Sequence, residues 1–197
     1  MTYVETIRIK NGRVQNIRYH NDRCYNTRVA AYETAKSVNL RRLITVPEPY
    51  KKGLVKCRVL YDTQVREITY QHYTIKPMTS LQLVTADHAT YEYKTVDRAQ
   101  LTSLYNLRTG ADDIIMVRNG LLTDTYYGNI ALSDGEQWYT PTTPMLAGTR
   151  RQQLIDRGIV QLCDIKPADL AQYRYIAVIN AMLPMGEVVL PCSAVRR

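Results

Sequence analysis

Three short segments of the chain carry side chains that could do chemistry. Lys94 lies among tyrosines in Tyr91–Asp97; a desolvated amine there would have a lowered pKa and could form an imine, whereas a solvated lysine at a strand end would be inert. Asp124, in Leu121–Ile130, is on its own typical of a turn. Thr140–Arg151 leads from a loop into a helix, and backbone N–H groups at a helix start bind phosphate, although many helices begin this way without a ligand.

Motifs for several other chemistries are absent from the sequence. There is no Walker loop, Gly-x-Gly-x-x-Gly, His-Glu-x-x-His or Gly-x-Ser-x-Gly. The histidines are too far apart in sequence to predict a metal site: His20, His72 and His88. The cysteines form no Cys-x-x-Cys pair, which predicts free thiols in a reducing cytoplasm, without zinc or disulfides: Cys24, Cys57, Cys163 and Cys192.

Composition indicates a globular protein with an anionic partner. Of 197 residues, 45% are hydrophobic and 22% are charged, and the formal charge is +8. The basic residues are spread along the chain rather than packed in one run, so a nucleic-acid arm is not indicated. No apolar run is long enough to cross a bilayer, and the N-terminal residues do not have the pattern of a secretion signal, so neither membrane nor export is expected.

The elements that must position these residues begin with a small α+β subdomain over residues 1–76. Residues 2–10 predict a strand, Asn11-Gly12 a hairpin turn and residues 13–18 the returning strand. A helix is predicted over 20–38, from the helical spacing of Tyr25, Val29, Tyr32 and Ala35. Leu54–Tyr61 and Val65–Ile75 predict a second hairpin, and residues 77–81 a connector containing Pro77.

A larger, β-rich subdomain is predicted over residues 82–197. Its first helix is expected to begin with Asp97 as its cap and to reach Leu107, and a second helix is expected from Gly148 to Arg157. Strands are predicted at Leu81–Thr85, Ile114–Val117, Leu121–Leu122, Asn129–Leu132, Gln137–Tyr139, Ile159–Ile165, Tyr175–Ile179 and Val188–Leu190. The predicted fold class is therefore α+β.

Several weak motifs follow one another along the chain: Val4–Arg8 with Asn11-Gly12, His20–Arg23, Lys94, Asp97-Arg98, Asp124 with Asn129-Ile130, and Gly148–Arg151. In this order and spacing they resemble the class IV aminotransferase family, the fold-type IV enzymes that use pyridoxal 5'-phosphate. This family includes branched-chain aminotransferases, D-amino-acid aminotransferases and 4-amino-4-deoxychorismate lyase. The resemblance covers nearly the whole chain and implies the two-subdomain architecture of D-amino-acid aminotransferase.

The resemblance assigns roles to residues of this chain. Lys94 is expected to form the Schiff base and, after exchange with an amino substrate, to move a proton as general base. Asp124 would face the pyridine nitrogen and Arg23 would hold the phosphate with the start of the second helix. The expected cofactor-binding residues are Arg23, Lys94, Asp124, Asn129, Thr149 and Arg150; the substrate candidates are Arg58 and Tyr61, with Arg66 on the same hairpin.

The implied function is that of an aminotransferase or lyase acting on an amino acid or amino-carboxylate, in a homodimer. The Asp97-Arg98 pair favours the lyase branch, which converts 4-amino-4-deoxychorismate to 4-aminobenzoate and pyruvate. Three features depart from the family pattern: the chain is short, Val4 replaces a phenylalanine, and Asp124 replaces a glutamate one methylene longer. The alternatives are a catalytically eroded binding protein of the same fold and, with less support, a basic nucleic-acid-binding module.

Overall fold

The chain folds into two compact units. A computed structural model describes residues 1–33 and 36–197. The first unit comprises Met1–Ile75 and Tyr93–Asp97, and the second comprises Lys76–Glu92 and Arg98–Arg197. Residues 77–81, expected to be a connector, belong to the second unit, where Leu81 already begins a strand. Residues 93–97 belong to the first unit because Thr95 pairs with Tyr3 of its N-terminal strand.

The first unit is an antiparallel sheet with a long helix packed on one face. Its sheet has the order β2-β1-β3-β4. Side chains alternate along β1, so Tyr3, Ile7 and Ile9 enter the core together with Cys24 of the helix. The elements in chain order are β1 (Tyr3–Lys10), β2 (Arg13–Val14), α1 (Ile17–Tyr32), α2 (Leu40–Leu43), a 3-10 turn (Glu48–Tyr50), β3 (Leu54–Tyr61) and β4 (Val65–His72).

The first helix begins earlier than its sequence predicts. The predicted strand over 13–18 stops at Val14, and α1 starts at Ile17. The cause is Asn16, whose φ of 55° lies in the left-handed region that asparagine tolerates better than most residues. The helix ends at Tyr32 rather than at residue 38, and Ala35, which supported the longer helix, lies outside the described residues.

The second unit is built on a mixed sheet. Its strand order is β10-β9-β8-β7-β6-β5-β13, and β11 pairs with both β8 and β12. The elements in chain order are β5 (Leu81–Thr85), α3 (Ala99–Tyr105), β6 (Asp113–Arg118), β7 (Leu121–Thr125), β8 (Asn129–Ser133), β9 (Trp138–Pro141), α4 (Thr149–Asp156), β10 (Gln161–Cys163), a 3-10 helix (Pro167–Gln172), β11 (Tyr175–Ile179), β12 (Val189–Pro191), a 3-10 turn (Cys192–Ala194) and β13 (Val195–Arg196).

The expected α+β class is confirmed, with local differences in the second unit. The α3 helix begins at Ala99, and the residue at its N-cap position is Arg98 rather than the predicted Asp97. The strand β7 continues through Thr125, which places Asp124 inside a buried strand rather than in a turn. Among the described residues, no helix combines the length and the apolar character needed to span a membrane.

Candidate functional site

A buried carboxylate joins β1 to α1 in the first unit. The Glu5 side chain points into the core and accepts hydrogen bonds from Arg23 Nε on Oε1 (2.9 Å) and from Arg23 Nη2 on Oε2 (2.7 Å). His20 Nδ1 lies 2.6 Å from the same Oε2. His20 and Arg23 are three residues apart on α1, so both reach Glu5 from one helix face. We call these three residues the Glu5 cluster.

Electrostatics keep the Glu5 cluster in one protonation state. Burial alone would raise the pKa of Glu5, but the Arg23 guanidinium and the hydrogen bonds from His20 and Arg23 lower it to about 2. Burial lowers the pKa of His20 despite its contact with Glu5. At neutral pH the cluster therefore contains a carboxylate, a guanidinium and a neutral imidazole whose Nδ1–H donates to Glu5.

Lys94 lies beside the same strand. Its carbonyl oxygen accepts a hydrogen bond from the Val4 N–H (2.9 Å), and the Val96 N–H donates to the Thr2 carbonyl (3.0 Å). These bonds flank the antiparallel bridge between Tyr3 and Thr95. The Lys94 side chain is half-buried, and its positive charge contributes to the lowered pKa of His20. The structure thus brings Lys94 and the Glu5 cluster together within the first unit.

A second buried carboxylate forms a closed network in the second unit. Asp124 of β7 pairs with Asn129 of β8, and Asn129 Nδ2 donates to Asp124 Oδ1 (2.7 Å). The Leu146 N–H donates to Asp124 Oδ2 (2.8 Å), while Asn129 Nδ2 also donates to the Leu146 carbonyl (2.8 Å). Asn129 was predicted to bind the cofactor. In the structure its side-chain N–H groups orient Asp124 and the loop before α4.

Asp124 has the opposite electrostatic environment to Glu5. Burial raises its pKa to about 6, although the hydrogen bonds from Asn129 and Leu146 and the charge of Arg151 act to lower it. Arg151 is itself buried and donates from Nη2 to the Pro141 carbonyl (2.6 Å). Because the pKa of Asp124 lies below neutral pH, Asp124 is ionised there. The hydrogen bonds from Asn129 and Leu146 favour the carboxylate, and the charge of Arg151 adds to them.

The start of α4 lies against this network. Gly148 is the N-cap residue, and a Cβ atom at this position would lie 1.9 Å from Asn129 Oδ1. Thr149 and Arg150 occupy the first turn, where backbone N–H groups point away from the helix along its axis. The Arg150 side chain folds back along the helix, with Nη1 donating to Gln153 Oε1 (2.5 Å). The structure therefore brings Asp124, Asn129 and the predicted phosphate turn together.

The predicted substrate residues have different positions on β3 and β4. Arg58 is exposed on the sheet face opposite the core, where it pairs with Thr6 of β1. Tyr61 is fully buried in the core of the first unit, and its role as a substrate contact stays a prediction. Arg66 donates from Nε to both carboxylate oxygens of Asp62 (2.9 and 2.8 Å).

Sequence reasoning missed Glu5, His20 and Arg151 as members of the candidate site. Glu5 lies in a strand that mixes polar and apolar residues, and His20 was given no role beyond its place in the segment His20–Arg23. A charged residue at a core-facing strand position, followed by basic residues three apart on a helix, is a signal that could have identified the cluster. Arg151 is the last residue of the Gly148–Arg151 motif, whose backbone alone was considered.

Known proteins resemble this chain over nearly its whole length. The family model described as amino-transferase class IV matches residues 2–190. A functionally uncharacterised protein of Haemophilus influenzae is 36% identical over 181 residues, covering 90% of this chain and 96% of that protein. The chain therefore belongs to the class IV aminotransferase family, which confirms the resemblance seen in the sequence.

Solved structures define the fold more closely. A proposed 4-amino-4-deoxychorismate lyase from Haemophilus somnus 129PT has a TM-score of 0.88 and 31% identity, covering 93% of this chain and 97% of that one. A hypothetical aminotransferase from Mycobacterium tuberculosis, in its pyridoxal-phosphate-bound form, has a TM-score of 0.76 and 16% identity, covering 98% of this chain and 81% of that one. The predicted fold-type IV architecture is thereby confirmed.

Proposed function

We propose that this protein is a pyridoxal-phosphate-dependent enzyme acting on an amino-carboxylate, and that its reaction is the conversion of 4-amino-4-deoxychorismate to 4-aminobenzoate and pyruvate. Transamination of an amino acid is the alternative reaction within the same family. The observation that carries the proposal is the buried Asp124 network beside the start of α4. The similarity to the Haemophilus somnus protein supports the lyase branch.

The available donors fit this cofactor. Lys94 offers an amine for its aldehyde, and Asp124 offers a carboxylate for its ring nitrogen. Each carboxylate oxygen has two lone pairs, so the bonds from Asn129 and Leu146 leave Asp124 able to accept another donor. Arg23 and the N–H groups of Thr149 and Arg150 suit a phosphate dianion.

When bound, pyridoxal phosphate supplies an electrophilic carbon and a ring that withdraws electrons from the substrate. Lys94 would take a proton from the carbon that carries the substrate amine and return it at another carbon. Asp124, ionised at neutral pH, would hold a proton on the ring nitrogen. Arg58, exposed on the outer sheet face, and Tyr61, on the same strand, are the candidate substrate residues, and Arg58 would bind a substrate carboxylate.

We further expect a cytoplasmic homodimer. The family resemblance implies the dimer. The four cysteines are free thiols, which agrees with a reducing compartment.

The test begins with a visible spectrum of the purified protein and pyridoxal phosphate, before and after borohydride. We expect a yellow band that borohydride bleaches, and a reduced pyridoxyl group mapped to Lys94. Lys94→Ala should keep the fold and lose this adduct, whereas Lys76→Ala, at an exposed position, should keep both. An identical adduct in Lys94→Ala would remove Lys94 from the mechanism.

The reaction is then assigned with the loaded protein. The lyase proposal predicts pyruvate and 4-aminobenzoate in equal amounts from 4-amino-4-deoxychorismate, without a keto-acid acceptor. Amino-group exchange between an amino acid and a keto acid would instead assign transamination. Absence of any adduct with excess cofactor would favour the eroded binding protein.

A further inference from the structure

Burial of the Glu5 carboxylate at its position on β1 is energetically unfavourable unless it is compensated. Its side chain is completely buried among Ile7, Ile9 and other core residues of the first unit. A buried carboxylate is tolerated only when charge and hydrogen bonds compensate its lost hydration. Here Arg23 provides the charge, and Arg23 and His20 together provide three contacts of 2.6–2.9 Å. The contacts are therefore a built arrangement rather than a surface ion pair.

The contacts with Glu5 restrain the orientation of the Arg23 guanidinium as well as its position. Two parallel N–H bonds to one carboxylate fix both the location and the plane of a guanidinium. The bonds from Nε and Nη2 use one of the donor edges of the Arg23 fork. The 14% exposure of the Arg23 side chain contrasts with complete burial of Glu5 and His20. The carboxylate thus lies behind the guanidinium, on its core side.

His20 restrains the carboxylate in turn. The neutral imidazole donates to Oε2, the oxygen that also accepts from Arg23 Nη2. Because His20 and Arg23 both belong to α1, rotation of the Glu5 carboxylate would break contacts with two side chains of one rigid element. The next residue toward the N-terminus, Val4, binds the Lys94 carbonyl through its N–H. Two adjacent residues of β1 therefore contact the Arg23 guanidinium and the Lys94 backbone, so the strand restrains their relative positions.

We propose that Glu5 is a positioning residue that holds the Arg23 guanidinium in the orientation needed to bind the cofactor phosphate, with His20 fixing the Glu5 carboxylate. This inference rests on the proposed function. It adds that phosphate affinity depends on a carboxylate that never touches the cofactor and that partly neutralises the arginine. Arg23 then contributes mainly through directed hydrogen bonds, since its charge is already shared with Glu5.

The test compares pyridoxal phosphate with pyridoxal, which has the same aldehyde and ring but no phosphate. Affinity is measured by absorbance titration and by borohydride trapping on Lys94, so activity is not needed. We expect Glu5→Gln to weaken pyridoxal phosphate binding by about tenfold or more, and pyridoxal binding by less than about twofold. Glu48→Gln, which alters an exposed glutamate paired with Lys51, should change neither affinity.

A double mutant distinguishes positioning from general destabilisation. If Glu5 acts through Arg23, Glu5→Gln should cause no further loss of pyridoxal phosphate affinity in an Arg23→Ala background. Arg18→Ala, on the same helix but 85% exposed, is the matched control for Arg23→Ala. If Glu5→Gln does not fold, Glu5→Asp should show the same phosphate-specific loss, because it keeps the charge but retracts the carboxylate by one methylene.

Several results would overturn the proposal. Equal loss of affinity for pyridoxal phosphate and pyridoxal would mean that Glu5 affects binding through the stability of the fold or through Lys94, not through the phosphate contact of Arg23. Unchanged affinity, or losses that add in the double mutant, would separate Glu5 from Arg23. A wild-type protein that forms an adduct with neither ligand would instead overturn the proposed function, and this inference with it.

Discussion

Glu5 and Asp124 are buried carboxylates whose surroundings shift their pKa values in opposite directions. Glu5 has a guanidinium in direct contact, and its pKa falls to about 2. Asp124 accepts only neutral donors, and burial raises its pKa to about 6. Carboxylates whose pKa values are shifted in opposite directions are suited to different roles. A permanently ionised Glu5 can hold a structure, whereas Asp124, close to its own titration, can respond to a proton on a bound ring.

The Glu5 cluster should stabilise the fold in a pH-dependent manner. The pKa of Glu5 is about 2 in the folded chain against 4.5 for the free group, so its stabilisation is complete above pH 4.5 and is lost as pH falls toward about 2. The contribution is about 3 kcal/mol. His20, whose pKa is lowered from 6.5, acts in the same direction below pH 6.5.

Chemical denaturation of wild type and Glu5→Gln between pH 7 and pH 3 measures this effect. We expect the gap between their free energies of unfolding to be largest at neutral pH and to narrow on acidification. A gap that is constant with pH would mean that Glu5 stabilises the chain by packing rather than by charge.

Substitution of Asp124 tests its link to the cofactor ring. In Asp124→Asn only one acceptor oxygen remains, so either Asn129 or the Leu146 N–H loses its partner at a cost of about 1–3 kcal/mol. The ring nitrogen would also lose its anionic partner, and we expect turnover to fall about 10- to 100-fold. The Lys94 adduct should still form, because its aldehyde chemistry does not require Asp124.

The Asp124→Glu variant is the matched comparison, since it restores the longer side chain that the family pattern has. It should keep a negative charge and retain most of the turnover. Equal turnover in wild type and Asp124→Asn would show that Asp124 has no electronic role.

At the scale of elements, local signals predicted most of the strands. Leu81–Thr85 and Tyr175–Ile179 have the predicted bounds because they are apolar runs with clear ends. The strand β7 was predicted only through Leu122, because Thr123, Asp124 and Thr125 have a polar local pattern. These residues pair with the neighbouring strands β6 and β8, and Asp124 also accepts a hydrogen bond from Leu146, which lies 22 residues further along the chain. Contacts distant in sequence also created the Glu5 cluster, which no local window contains.

The close contact between Asn129 of β8 and the start of α4 requires a glycine at position 148 because there is no room for a side chain, not because of its backbone conformation. Gly148 has φ −71° and ψ 138°, which any residue can adopt. A methyl group there would nevertheless collide with Asn129 Oδ1, 1.9 Å away. Gly148→Ala should therefore displace Asn129, disrupt its bonds to Asp124 and Leu146, and destabilise the second unit by about 1–3 kcal/mol.

This effect should be visible as a lower denaturation midpoint and weaker binding of pyridoxal phosphate. Ala147→Ser adds a single atom at the neighbouring exposed position and should leave both unchanged. Wild-type stability together with wild-type binding in Gly148→Ala would show that the α4 start and Asp124 are not mechanically linked.

At the scale of the whole molecule, the charge of +8 suits an anionic partner in both the favoured function and the nucleic-acid-binding alternative, and the salt dependence of binding distinguishes them. A basic nucleic-acid-binding module would hold polyanions through many phosphate contacts, and its affinity would fall steeply with salt. An enzyme for a phosphorylated cofactor and a carboxylate substrate needs only a few directed contacts. Within the first unit, Arg23 is already engaged with Glu5 and Arg66 with Asp62, so the charges of these two arginines are matched by acidic partners.

The expected homodimer gives a final prediction. Two copies of a chain with charge +8 repel each other, so association must come from short-range contacts rather than from charge attraction. Light scattering should therefore give twice the 22.7 kDa chain mass, and raising salt from about 0.05 M to about 0.5 M should preserve or strengthen the dimer because repulsion is screened. A monomer at low and high salt would contradict the family expectation. Salt-induced dissociation would instead place opposite charges across the interface, and the expectation that charge attraction does not drive association would then be wrong.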